Sequence, residues 1–140
     1  LSIAFAYADL LHQYLGTVRL DPVDRLFYIY ESIHVLEKIV HSSGQAKTSQ
    51  LIRLIELVLE TENFEKTQFY CDELESKHPD SEEKYMTLLK SYYLMKDRPN
   101  FERSFMQFRN SKIHFSSDTM KVIRLWLNTI SIIRMSSSHE

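Results

Sequence analysis

The sequence predicts an all-α protein of stacked antiparallel helical hairpins, about seven helices in all, closed by a C-terminal capping helix. Three observations predict it. Two glycines and three prolines in 140 residues leave little material for β-hairpin turns or a glycine-rich phosphate loop. Apolar residues recur at helical rather than alternating spacing through most of the chain. One phrase also occurs twice, as Asn63-Phe64-Glu65-Lys66-Thr67 and Asn100-Phe101-Glu102-Arg103-Ser104, 37 residues apart. That spacing lies inside the range of roughly 20–50 residues that marks stacked helical repeats.

The elements follow in order. The first helix runs from about Ser2 to Leu15, with Gly16 as its C-terminal stop. Asp21-Pro22 opens the second, Asp at the cap and Pro in the first turn. Its apolar residues keep helical spacing from Leu26 to Val40, until Ser42-Ser43-Gly44 breaks it. The third carries Leu51, Ile52, Leu54, Ile55, Leu57 and Val58, a face broad enough to predict burial on more than one side. Glu60 to Asn63 is a turn, the fourth helix covers Phe64 to about Lys77, and His78-Pro79-Asp80 stops it. Asp80 or Ser81 caps a fifth helix reaching about Lys96. Asp97-Arg98-Pro99-Asn100 reads as the next break, which places the sixth helix at Phe101 to about Asn110. Ser116-Ser117-Asp118 caps the seventh, Thr119 to about Met135. The alternating Lys112-Ile113-His114-Phe115 stands alone and is a connector. Turns of about four residues between the arms of each pair force antiparallel neighbours. The expected organisation is one domain over 1–135 and a frayed tail over 136–140.

Counted from Thr48, the chain resembles the tetratricopeptide (TPR) repeat, a helix pair of about 34 residues with bulky and small residues at set places. Leu51, Leu54 and Val58 fall on the bulky first-helix positions, Phe64 opens the second helix, Thr67 and Cys71 take its next packing positions, and Pro79 sits on the closing proline. A second unit from Glu82 carries Tyr85, Leu88 and Tyr92. With about three extra residues in its turn, it then carries Phe101, Ser104 and Phe108. Units 48–81 and 82–115 are therefore the clearest repeats. The sequence departs from the family at the usual Gly or Ala site, which holds Ile55 and Leu89, at Leu74 where a small residue is usual, and at the second closing proline, which is missing. The resemblance implies a right-handed superhelix of hairpins with a groove that binds peptides, the final helix with Trp126 capping its open end.

Composition narrows the chemistry. A formal net charge of −2 gives no overall attraction to nucleic acid or anionic membrane. A single cysteine, Cys71, allows no internal disulfide and no thiol cluster for zinc, which points to a cytoplasmic setting. No apolar run approaches the roughly 20 residues that cross a bilayer, and the opening stretch reads as a helix rather than a signal peptide. His34 and His41 are seven residues apart, about 10 Å along a helix and too far to share an ion. No nucleophile elbow, Walker loop or dinucleotide fingerprint is present, and Cys71 falls in the hairpin packing. No cofactor, metal or catalytic residue is expected.

The expected function is therefore a non-catalytic scaffold that binds a protein or peptide, with Tyr85, Tyr92, Tyr93 and Trp126 as candidate aromatic anchors. Tyr28 and Tyr30 are placed amphipathically in the same way, and most of these tyrosines read better as filling between hairpins than as anchors. Nine acidic and two basic residues lie between Glu60 and Glu83, and seven basic and two acidic between Arg98 and Arg134, a polarity able to orient a partner. The basic residues are scattered and accompany no DNA-binding motif, so nucleic acid is not the expected partner. Two alternatives stand beside the scaffold. One is a regulatory or accessory helical domain of a larger protein, such as a glycosyltransferase tail or a peptide-sensing transcriptional regulator. The other is a homo-oligomeric module that associates through the last helix.

Overall fold

The computed structural model describes residues 2–43 and 46–137. Among these residues all regular structure is helical: α1 (Ser2–Thr17), α2 (Pro22–Ser43), α3 (Thr48–Glu60), α4 (Phe64–Lys77), α5 (Glu82–Leu94), α6 (Arg98–Asn110) and α7 (Ser117–Ser137). The stretch from Lys112 to Phe115 is an irregular connector. The first two residues of the expected tail, Ser136 and Ser137, belong to α7; 138–140 lie outside the described residues, as does Gly44 of the expected break after α2.

Side-chain caps explain most helix starts. The Asp21 carboxylate accepts from the backbone N–H groups of Val23 and Asp24, both at 3.0 Å. Ser81 accepts from the Lys84 N–H at 3.1 Å, and Ser116 from that of Thr119 at 3.2 Å. Each bond satisfies a first-turn donor that the helix itself cannot. Two expected boundaries move. Gly16 does not stop α1, which continues to Thr17, whose hydroxyl donates to the Gln13 carbonyl at 2.7 Å. α6 begins at Arg98 rather than Phe101: Asp97 caps it by accepting from the Asn100 N–H at 3.3 Å, and Pro99 lies in its first turn. Proline breaks a helix interior but fits a first turn, where its missing N–H has no partner to lose.

The second shift changes the repeat. α3 and α5 both span 13 residues and start at Thr48 and Glu82; α4 and α6 start at Phe64 and Arg98. Each start recurs after 34 residues. The intervening turns share their closing bonds. Glu62 (φ 60°) and Lys96 (φ 57°) both adopt the left-handed conformation. Glu62 N–H donates to the Leu59 carbonyl and Asn63 N–H to that of Val58, while Lys96 donates to Tyr93 and Asp97 to Tyr92. This is the Schellman closure of a helix end, and in both copies the next residue caps the following helix. The three-residue insertion expected in the second turn is absent. The doubled Asn-Phe-Glu phrase is therefore not a pair of equivalent positions: Phe64 opens its helix and is 44% exposed, whereas Phe101 lies a turn inside and is 0% exposed.

By contacts the chain divides into two compact units, Leu1–Tyr70 and Cys71–Glu140, the division falling within α4. In the first, α2 packs against both α1 and α3. Its buried residues include Ala8 and Leu11 from α1, Ile33, Leu36 and Ile39 from α2, and Leu51, Leu54, Ile55 and Val58 from α3. In the second, α5 packs against α6 and both meet α7. Cys71, Leu74, Leu88, Leu89, Tyr92, Phe101, Ile123 and Ile130 are buried there. Phe108 joins Tyr85 and Phe115, with ring centroids 5.8 and 4.5 Å away. Each helix alone has an apolar face it cannot cover, so burial at roughly 25 cal/mol per Å² makes neighbouring helices support one another.

Candidate interaction surface

The α1–α2 hairpin carries more apolar surface than its unit covers. On α1, Ala8 and Leu11 point into the core, while Ile3, Tyr7, Leu10 and Tyr14 stay exposed. On α2, Ile29, Ile33, Leu36 and Ile39 are buried, and Val23, Leu26, Phe27 and Tyr30 are exposed. Ile3 is 83% exposed, Val23 77%, Phe27 64% and Leu10 63%. On α1 these residues fall at intervals of four, three and four, 3, 7, 10 and 14; on α2, Val23, Phe27 and Tyr30 with the exposed His34 repeat that spacing, while Leu26 lies off the stripe.

The stripes meet along the border of the two helices. Tyr7 donates its hydroxyl to the Glu31 carboxylate at 3.1 Å, a bond that pushes the Tyr7 pKa up. The Tyr14 ring lies 4.9 Å from that of Tyr28, and Tyr28 meets Phe27 edge-on at 5.4 Å. An aromatic ladder thus joins the α1 stripe to the α2 stripe across one face of the hairpin. Exposed apolar side chains line this face of the hairpin on both helices.

The candidate anchors named from the sequence fare differently. Tyr85 and Tyr92 are buried, 3% and 0% exposed, and so offer no surface to a partner. Burial pushes both hydroxyl pKa values up. Both stand on α5, which packs against α6 and α7, and that packing claims them. Tyr93 and Trp126 remain half-exposed, and the structure brings them together: their rings stack at 5.3 Å with an interplanar angle of 18°. Val122, Leu125 and Ile132 are exposed along the same helix as Trp126.

The polar clusters are turned inward on themselves. Tyr70 donates its hydroxyl to Glu37, bonds His41 Nε2 at 3.0 Å, and is buried. Lys66 Nζ reaches both Glu37 oxygens at 3.1 Å. Burial alone would raise the Glu37 pKa, but the Tyr70 hydroxyl and Lys66 outweigh it and hold the carboxyl below its ordinary value. Lys84 is buried with its three Nζ donors on the carbonyls of Glu75 and His78 and on Asp80, at 2.9 to 3.2 Å. The ammonium thereby closes the open carbonyl end of α4, a structural use of a buried cation. It floors an open polar cleft of about 380 Å³ with Glu75, Asp80, Tyr85 and the end of α6. Burial pushes the Cys71 thiol up to about 12, which removes the thiolate a nucleophile needs at neutral pH. Among the described residues no group of three or more His, Cys, Asp or Glu could hold a metal ion, and no helix is long and apolar enough to cross a membrane.

No family model matches the chain, and comparisons with curated proteins and with solved structures return no match. The exposed α1–α2 stripes escape a reading by composition because α2 is apolar on two sides. Their signal is the four-three-four spacing, which is visible in sequence once the buried side of each helix is known.

Proposed function

We propose that this chain is a non-catalytic protein-binding scaffold, a TPR-like array of helical hairpins whose exposed helix faces hold a partner. The array reading is supported by the 34-residue recurrence of helix starts, caps and turns. The single observation that carries the binding reading is the joined apolar face of α1 and α2, with Ile3, Leu10, Val23 and Phe27 each more than three-fifths exposed. Side chains of that size are held in water at a cost of about 1.5–3 kcal/mol each relative to burial, so a covering protein surface gains that free energy. The polar side chains support the same reading, because the basic ones with a structural role are already spent on neighbours.

The test is site-specific photo-crosslinking in cells that express the chain. Benzoyl-phenylalanine replaces Phe27 on the α1–α2 face, Trp126 on the second exposed aromatic face, and Glu83 as a charged surface control. A discrete protein adduct from Phe27 or Trp126 and none from Glu83 is the expected result. Adducts that form equally at all three positions, or at none, would sink the scaffold reading.

A further inference from the structure

We propose that the outer face of the α1–α2 hairpin is a self-association surface, where a second copy of the chain seats its own α1–α2 face to complete an intermolecular four-helix bundle. This rests on the protein-binding reading above and names the partner. It places association at the first hairpin rather than the last helix.

The spacing is the first argument. Residues 3, 7, 10 and 14, and residues 23, 27, 30 and 34, follow the four-three alternation of a coiled-coil seam. A hairpin with one such seam per helix is half of a four-helix bundle, and its complement is a second hairpin of the same pattern. The chain supplies that complement in another copy of itself. Area is the second argument. Three aliphatic and four aromatic seam side chains at their observed exposures uncover on the order of 800 Å², given about 200 Å² for a whole aromatic residue. That matches what one partner contributes to a standard stable interface.

Charge is the third. The seams contain no Asp, Glu, Lys or Arg, so the apolar seams bring no like charges of their own together. Beside the α2 seam, Asp24, Glu31 and Lys38 recur every seven residues along one flank. In a two-fold interface every contact occurs twice with its roles exchanged. An antiparallel crossing of two α2 helices centred on Glu31 then sets Asp24 of each copy opposite Lys38 of the other, two ion pairs from one sequence. Glu31 comes near its own counterpart at the axis, where its bond from Tyr7 draws it back toward α1.

The experiment is analytical ultracentrifugation of the whole chain from about 1 to 200 μM, with circular dichroism on every variant. The expected species is a discrete dimer of a 16.7 kDa chain. Phe27→Glu should weaken it at least about 100-fold with helicity unchanged, because Phe27 packs on the surface and not in the core. Should that variant lose helicity, Val23→Glu carries the same test from the exposed first turn. Asp24→Lys and Lys38→Asp should each weaken the dimer several-fold, and the double exchange should recover most of the loss. Tyr30→Cys, beside the two-fold axis, should form a disulfide with its own copy under mild oxidation, since the native Cys71 is buried and silent. A concentration-independent monomer, an open ladder of larger species, or a dimer that survives both Phe27→Glu and Val23→Glu overturns the proposal. If the chain is a monomer yet crosslinks another protein from Phe27, the scaffold reading stands and self-association alone fails.

Discussion

At the scale of single residues, burial decides between roles that sequence leaves open. Tyr85, Tyr92 and Tyr93 all sit in α5 at helical spacing, yet only Tyr93 reaches the surface. An aromatic side chain reads the same in sequence whether it anchors a partner or fills a hairpin, and the neighbours that decide come from other helices. Tyr70 shows a packing residue whose polar tip also contributes. Its hydroxyl donates to Glu37, which Lys66 also holds. Because the folded state depresses the Glu37 pKa, the stability this carboxylate contributes is present above its unfolded value, about 4.3, and is lost as pH falls through the folded one. Tyr70→Phe keeps the ring and removes the donor. It should lower stability by about 1.5–3 kcal/mol at pH 7, the range for a hydrogen bond to a charged group. The gap between variant and parent should narrow as pH falls through the depressed pKa of Glu37, where the carboxylate protonates. Urea unfolding across a pH series from 7 downward measures the gap, and a gap that stays constant throughout the acid range would mean that the Tyr70 hydroxyl does not act through the Glu37 carboxylate.

At the scale of elements, the helices themselves were legible and their joints only half so. Seven helices in order, with caps at Asp21, Ser81 and Ser116, follow from residue types whose side chains bond the first turn. The break read at Asp97–Asn100 was misplaced because proline punctuates sequence strongly, whereas in structure Pro99 sits harmlessly in the first turn of α6. The true joint leaves no such mark, since its left-handed residues are Glu62 and Lys96 rather than glycine. A side chain in that conformation costs roughly 1–2 kcal/mol, partly offset because glycine loses more freedom on folding. Glu62→Gly and Lys96→Gly should therefore each stabilise the fold by about 0.5–1 kcal/mol. The two gains should be similar, because the left-handed residue and the closing hydrogen bonds are the same in the two turns. Chemical denaturation checks this, and a loss of stability in either variant would show that Glu62 or Lys96 is held by something beyond the turn.

At the scale of the whole molecule, the period changed from the 37 residues of the repeated phrase to the 34 of the helix starts and turns, since a local likeness of wording need not share a place in the fold. The surface was the least legible part: exposure depends on which side of α1 and α2 the neighbours occupy, and periodicity alone does not say. What the sequence did supply is a single internal reporter of cooperativity. Cys71 is the only thiol, it is 0% exposed, and its pKa is pushed to about 12. Burial is the largest cause, the Ser91 hydroxyl lowers the pKa somewhat, and nearby Asp72, Glu75 and Asp97 raise it further. Both terms suppress reaction with a disulfide reagent at neutral pH, since reaction needs access and a thiolate. Labelling then requires an opening that exposes α4 at Cys71, and its free energy is read from the labelling rate. For a domain of ordinary stability the rate should fall at least about a thousandfold below that of the unfolded chain. Its denaturant dependence should match the slope of equilibrium unfolding followed by helical circular dichroism. A protected thiol with a shallower slope would reveal a local opening at α4, and rapid labelling in the absence of denaturant would contradict the burial of Cys71 outright.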